Sequence, residues 1–345
     1  MKKFILLILI IIISLIGGWE KKLGISDETD LGDWKKRVEE KIEELKVKYD
    51  FSHWPAKEGQ FRLGFPLSPD LFPNLSGAKE VSKSTFLREN DGIPISEIEP
   101  AVGRIYCWEV PSKGSLEIET FMTSIGRDAQ EYLIEKYAER ETRMTSMAMP
   151  MPREIIRLKG FTVGLSLGDI CFVEPGPKEG IYNEIDFIKD NIVVRVQGRG
   201  EIRKEIKDIA IKINSLIPSR IPVPSIDRYR ARVKELFPVK DMVLKLSEEW
   251  EDVPIIIEVE DPAGGELVYK WESLGRIEIE KDEFGRYIAS IGPQDQGIYD
   301  IDVFIINDYL LANCDSLRIT VVEFTKEEIK ERIEKSKKNL TNPRK

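Results

Sequence analysis

An α+β domain, built as an antiparallel sheet with helices on one face, followed by an all-β sandwich is the architecture this sequence predicts. A short hydrophobic segment stands in front of both. Three observations point there. Residues 4–16 form an apolar run behind Lys2 and Lys3. Between 103 and 217, alternating strand-like runs are interleaved with two stretches of helical period. After residues 218–240, which hold four prolines, short alternating runs separated by turn residues repeat to position 322.

The first element is the segment 1–19. Only Ser14 is polar within 4–16, and Gly17, Gly18 and Trp19 close the run. Thirteen helical residues reach ~20 Å, short of the ~30 Å hydrocarbon core. That length suits a signal peptide. A cleavage site wants small residues at both −1 and −3, and Ile16 or Leu15 would stand at −3. That suits a membrane anchor, with Trp19 at the interface. Both readings send the rest of the chain out of the cytoplasm, because Lys2 and Lys3 hold the amino terminus inside. The expected location is extracytoplasmic, membrane-anchored or secreted, with the membrane engaged through this segment.

Residues 26–50 read as a helix, either a stalk or an element docked on the domain that follows. Asp33 can cap it, and Trp34, Val38, Ile42 and Leu45 share one face. The α+β domain is placed at 51–220, with 51–100 rich in Pro, Gly and Ser and lacking a pattern. Strands are expected at 104–110 and 115–123 around the turn Pro111-Ser112-Lys113-Gly114, then a helix at 127–143. Further strands fall at 161–173 and 184–197, the latter turning at Asp190-Asn191. The helix at 201–217 places Ile202, Ile206, Ile209, Ile213 and Leu216 on one side.

A linker with a short helix is expected at 221–240, and the sandwich at 241–323 with seven strands. The tail 324–345 begins as a helix and ends in Lys335, Lys337, Lys338, Arg344 and Lys345. Asp295-Gln296-Gly297-Ile298-Tyr299 resembles the D-x-G-x-Y corner of immunoglobulin-like domains, and Trp271 stands where such folds carry a strand-C tryptophan. Ile301 occupies the place of the second cysteine, so residues 240–323 resemble the disulfide-free Ig-like or PKD-like modules. The resemblance implies structural roles for Asp295, Gly297, Tyr299 and Trp271, and no activity. The first half is similar to sheet-and-helix modules of exported bacterial and archaeal proteins. That similarity rests on Leu167-Gly168-Asp169, on Phe187 to Val194 and on the helix after them, and it too implies no activity.

Composition excludes several chemistries. The net charge is −9, and without Lys2 and Lys3 it is near −11, so no nucleic-acid partner is expected. The only histidine, His53, lies 113 residues before the serine of Gly164-Leu165-Ser166-Leu167-Gly168, so this G-x-S-x-G lacks its ordered partners. Ser76 to Lys79 spells S-x-x-K without a K-T-G. Of three cysteines, Cys107 and Cys171 could bridge, leaving Cys314 over. Equally, all three could be small buried hydrophobes. Met144, Met147, Met149 and Met151 are soft donors suited to Cu(I), or a packing surface. Asn74 and Asn339 open glycosylation sequons. The expected function is interaction with a protein or envelope partner, with no enzyme activity and no cofactor. The alternative is capture of a small ligand or Cu(I) by the first domain.

Overall fold

The computed structural model describes residues 28–57, 59–88, 101–146, 165–237, 242–245, 250–273, 276–283, 286–292 and 296–323, with Glu328, Lys330, Glu331, Ile333 and Glu334. The segment 1–19 therefore lies outside the described residues, and no described helix is long and apolar enough to cross a membrane.

Helix α1 (Glu28–Lys48) leads to the short strand β1 (Gln60–Arg62) and then to β2 (Lys79–Leu87), β3 (Val102–Val110) and β4 (Gly114–Met122). Helix α2 (Gly126–Ser146) precedes β5 (Ile170–Pro175), β6 (Tyr182–Lys189) and β7 (Ile192–Gly200), and helix α3 (Ile206–Leu216) precedes β8 (Arg220–Pro222). Six strands form one antiparallel sheet in the order β2-β3-β4-β7-β6-β5. The β3–β4 turn falls on the expected residues, with Ser112 at φ 60° and Gly114 at φ 113°. A Cβ at Gly114 would lie 2.0 Å from the Arg199 carbonyl of the neighbouring strand, so glycine is required there.

The helices do not share one face of this sheet, and the expectation of a single covered face is corrected. Tyr106, Trp108, Leu116, Ile118, Ile185, Phe187, Val194 and Val196 pack on the side of α3, with its Ile206, Ile209 and Ile213. Phe121, Ile170, Phe172, Ile188 and Val193 point the other way, toward Val38 and Leu45 of α1, Tyr49 just after it, and Tyr132, Leu133 and Tyr137 of α2. The physical reason is written in pairs such as Phe187-Ile188 and Val193-Val194, apolar on both sides of the strand. It also follows that α1 docks on the domain through Val38 and Leu45 and is not a free stalk.

The expected linker 221–240 is also corrected. A 3-10 helix covers Val223–Tyr229, but Arg232–Phe237 is strand β9 and belongs to the sandwich. Val233 and Leu236 both face its core. A register shift against β11 leaves these two residues three positions apart, a spacing that mimics a helix.

The seven expected strands follow as β10 (Met242–Lys245), β11 (Glu251–Glu260), β12 (Val268–Ser273), β13 (Ile277–Lys281), β14 (Tyr287–Ile291), β15 (Gly297–Ile306) and β16 (Ala312–Val322). They form two sheets, β13-β14-β11-β9 and β10-β16-β15-β12, and β10 runs parallel to β16. Leu236, Ile255, Ile277, Ala289 and Ile291 of the first meet Ile301, Leu317, Ile319 and Val321 of the second, which makes a β-sandwich.

The two halves share a core. Ile306, Leu310, Leu311 and Ala312, around the β15–β16 loop, are buried among the apolar residues of the six-stranded sheet. Leu310 takes φ 60°, and the Tyr309 carbonyl accepts the Gly64 N–H at 3.0 Å. Arg104, fully buried on β3, donates to Asp308 Oδ1 at 3.1 Å, to the Asn307 carbonyl at 3.4 Å and to Thr85 Oγ1 at 3.1 Å. Buried Asn307 fixes the loop from within. Its Nδ2 donates to the Tyr229 carbonyl at 2.7 Å, and its Oδ1 accepts from Tyr309 N and Leu311 N at 3.1 and 3.3 Å.

This shared core predicts that the two halves unfold as one cooperative unit. Arg104→Met is expected to cost about 3 kcal/mol, because it orphans the loop's polar groups. In urea, residues 28–345 should unfold in one transition, and the variant in two. A variant with an unchanged single transition would show that Arg104 does not couple the halves.

Candidate functional site

Cross-strand register assembles one polar cluster on an otherwise apolar sheet face. Glu119 of β4 stands opposite Arg195 of β7, which stands opposite Asp186 of β6. In the next row, Glu117, Gln197 and Glu184 line up on the same strands. The three nitrogens of the Arg195 guanidinium divide among three carboxylates. Nη2 reaches Glu184 Oε1 at 2.8 Å, Nη1 reaches Glu119 Oε2 at 3.3 Å, and Nε reaches Asp186 Oδ1 at 3.4 Å. Gln197 Nε2 donates to Glu184 Oε2 at 3.2 Å.

Helix α2 lies over this cluster. The Tyr132 hydroxyl donates to Glu119 Oε1 and the Tyr137 hydroxyl to Asp186 Oδ2. Tyr132 stacks on Phe121 with ring centroids 3.6 Å apart, and Tyr137 meets Phe172 edge-on at 5.7 Å. Glu119, Glu184 and Asp186 are all buried. Burial pushes the Asp186 carboxyl well above the usual carboxylate range, and the charge of Glu184 adds to this against the pull of Arg195. Burial and the facing carboxylates raise both tyrosine hydroxyls, so they remain donors. Although burial opposes its charge, Asp186, Glu184 and Glu119 raise Arg195 further above its already high value. The arrangement can hold a proton and fasten a helix, and it offers no activated nucleophile.

A second ionic knot anchors the β6–β7 turn. Asp190, at φ 57°, accepts from both Arg62 and Arg220, while Asn191 Nδ2 donates to the Arg62 and Thr123 carbonyls at 3.0 and 2.9 Å. Burial opposes the Asp190 charge, yet the two arginines hold its carboxyl below the usual range. This knot pins the β1–β8 ribbon to the sheet.

Of the two readings of the cysteines, the Cys107–Cys171 bridge is absent, and all three thiols are free. Cys171 packs on the α3 side of the sheet. Cys107 stands opposite Glu117, on the α2 side, with its Sγ 4.0 Å from Glu117 Oε2. The strands that carry them, β3 and β5, are four steps apart in the sheet. At ~4.8 Å per step the separation is roughly 19 Å, far beyond a bridge. Burial pushes the Cys171 and Cys314 thiols up to about 12, which keeps them protonated and unreactive.

The other sequence candidates fall apart from one another. Ser166 is exposed in the loop ahead of β5, and strand rather than helix follows it. Gly168, at φ 59°, lies where a Cβ would be 2.1 Å from the Ile188 carbonyl, so the glycine serves a tight bend. His53 is exposed and bonded to Asp50 Oδ1 at 2.6 Å. Asn74 is exposed within a 3-10 turn and Ser76 just after it, and Lys79 opens β2. Trp271 and Tyr299 line the sandwich core together, with Trp271 5.1 Å from Tyr287. Gly297 opens β15, whereas Asp295 lies outside the described residues. Met144 sits at the end of α2 with its side chain outside the described residues, as are Met147, Met149, Met151 and Asn339. Among the described residues, no group of His, Cys, Asp or Glu is arranged to hold a metal ion.

The Arg195 cluster is not among the sequence candidates. Its signal is a charge at alternate positions of strands that are otherwise apolar, as in LEIETFM, NEIDFIK and IVVRVQG. Taken alone, such alternation reads as a solvent face. No known protein family and no curated protein matches this chain.

Two measurements check this subsection. Alkylation of the unfolded, unreduced protein is expected to add three groups, one per cysteine, and addition of only one would mean a bridge. Arg195→Gln is expected to cost about 3–5 kcal/mol by urea denaturation, since it leaves buried carboxylates without their cation. A loss under about 1 kcal/mol would show that the cluster contributes little.

Proposed function

We propose that this is an extracytoplasmic protein, anchored or released through residues 1–19, that works by binding a protein or envelope partner rather than by catalysis. The observation that carries the reading is the end of the sandwich remote from the shared core. Val243 of β10 and Ile298 of β15 flank Thr320 on the outer face, 53% and 64% exposed. Trp250, half-exposed, lies over Gly292 at the same end, where β14 turns toward β15. Exposed tryptophan and isoleucine cost solubility and are the residues that anchor protein interfaces.

Three further observations support it. The strand order β13-β14-β11-β9 over β10-β16-β15-β12 corresponds to the A-B-E-D and G-F-C sheets of Ig-like modules, with β10 as an edge strand moved to the second sheet. Such modules commonly serve recognition, which is an argument from fold alone. The convergent polar groups of the first domain are bonded to one another, which weighs toward a partner surface over small-ligand capture. The exposed serine and the protonated thiols weigh toward binding over covalent catalysis.

Protease added to intact cells, or to spheroplasts where a wall intervenes, is expected to digest residues 30–345. Full protection would overturn the location. Cross-linking on the membrane-bound chain should capture a partner. Trp250→Ala with Ile298→Glu should reduce capture at least tenfold with no change in melting temperature, as loss of a hot spot worth ~1.4 kcal/mol or more requires. Undiminished capture would move the interface elsewhere.

A further inference from the structure

The outer face of the β13-β14-β11-β9 sheet carries an exposed apolar centre with charge of one sign around it. Ile255, Ile277, Ala289 and Ile291 point into the sandwich core, so the residues that alternate with them point out. Ile256 of β11 is 59% exposed, Pro254 on the same strand is exposed, and Ile288 of β14 stands opposite Pro254. Four exposed glutamates border this centre. Glu280 of β13 lies opposite Ile288 with Glu278 on the same strand, and Glu258 of β11 lies directly opposite Glu235 of β9. Like charges set opposite each other across two strands are unfavourable. None of the four glutamates has an ion pair among the described residues. The cations of this sheet stand at its ends: Arg232 and Lys234 beside Glu260, Arg276 ahead of β13, Arg286 beside Asp282, and Lys281 over the Tyr287 ring.

The chain itself carries the complement. Residues 335–345 lie outside the described residues, and their sequence, KSKKNLTNPRK, holds five cationic side chains, no acidic one and a central Leu340. Strand β16 ends at Val322 beside Lys245 of β10, and Lys245 pairs with Glu328 at 2.7 Å. β10 is an edge strand and follows β9 in the chain, and β9 is the edge strand that carries Glu235. The sheets of a sandwich lie ~10 Å apart and eleven extended residues reach roughly 36 Å, so the segment is long enough to round the edge and cross the open face. We infer that this face is the docking surface for the chain's own basic end, with the lysines meeting Glu235 and Glu258 and Leu340 covering Ile256. Docking brings cations to two carboxylates that otherwise face each other, and takes the exposed isoleucine out of water.

Carbodiimide cross-linking of the full chain in detergent tests this, because it joins a lysine to a carboxylate in direct contact. An equal mixture of heavy-nitrogen-labelled and unlabelled chains separates links within one chain from links between two. Links from residues 335–345 to Glu235, Glu258 or Glu280 are expected within one chain. Their yield should fall at least about fivefold in about 1 M salt, where charges are screened beyond ~3 Å. Glu235→Gln with Glu258→Gln, both exposed positions, should lower the links to Glu280 to a similar degree. A synthetic peptide of residues 335–345 should bind the chain truncated after Glu334 at least about tenfold more tightly than the intact chain, whose tethered end competes at high effective concentration. No such links, links only between chains, or a truncated chain that ignores the peptide would overturn the inference.

Discussion

Arg104 and Arg195 lie on a sheet covered on both sides, and each must find its counter-charge inside the protein. Burying a lone cation in such a layer costs far more than any single contact returns, so every charged side chain there comes with a partner built in. Arg195 draws on neighbouring strands and on α2, and so fixes where the helix lies. Arg104 draws on the β15–β16 loop, and so fixes where the sandwich lies. The same rule, applied on opposite faces of the sheet, orders the first domain internally and joins the second to it.

Much of the architecture was legible because its signals are local. The turn at Ser112-Lys113-Gly114, the helical spacing of Ile206, Ile209 and Ile213, and seven of the sandwich strands all follow from residues near one another in sequence. What was not legible depends on distant pairing. Strand β2 carries polar residues at six of its nine positions, because it is a sheet edge with most of both faces wet. Strand β9 was obscured by its bulge. The failed pairing of Cys107 with Cys171 is a matter of strand order, since nothing local says that β4, β7 and β6 come between them. The candidate cluster was hidden for a related reason. Glu119, Glu184 and Asp186 look like the wet side of their strands until α2 is known to cover them.

The chemistry of the molecule is correspondingly restrained. Its histidine is engaged with Asp50 at the surface, its inner thiols are held protonated, and the carboxylates of the Arg195 cluster are bonded to that guanidinium. Apolar surface is instead offered at the far end of the sandwich, around Val243, Trp250 and Ile298. On the proposed reading, polar groups organise the structure and the exposed apolar ones at the end of the sandwich are the surface that meets a partner.

The plugged β15–β16 loop has a mechanical consequence. If the chain is tethered near residue 28 and loaded at the far end of the sandwich, tension crosses the junction between the halves. Domains joined by a free linker would swing like links of a chain. Here Leu310 and Leu311 would first have to be drawn out of an apolar core while Arg104 lost its ionic contact. The two halves would therefore bear a pull as one stiff strut, and its two ends would keep a fixed spacing and orientation under load.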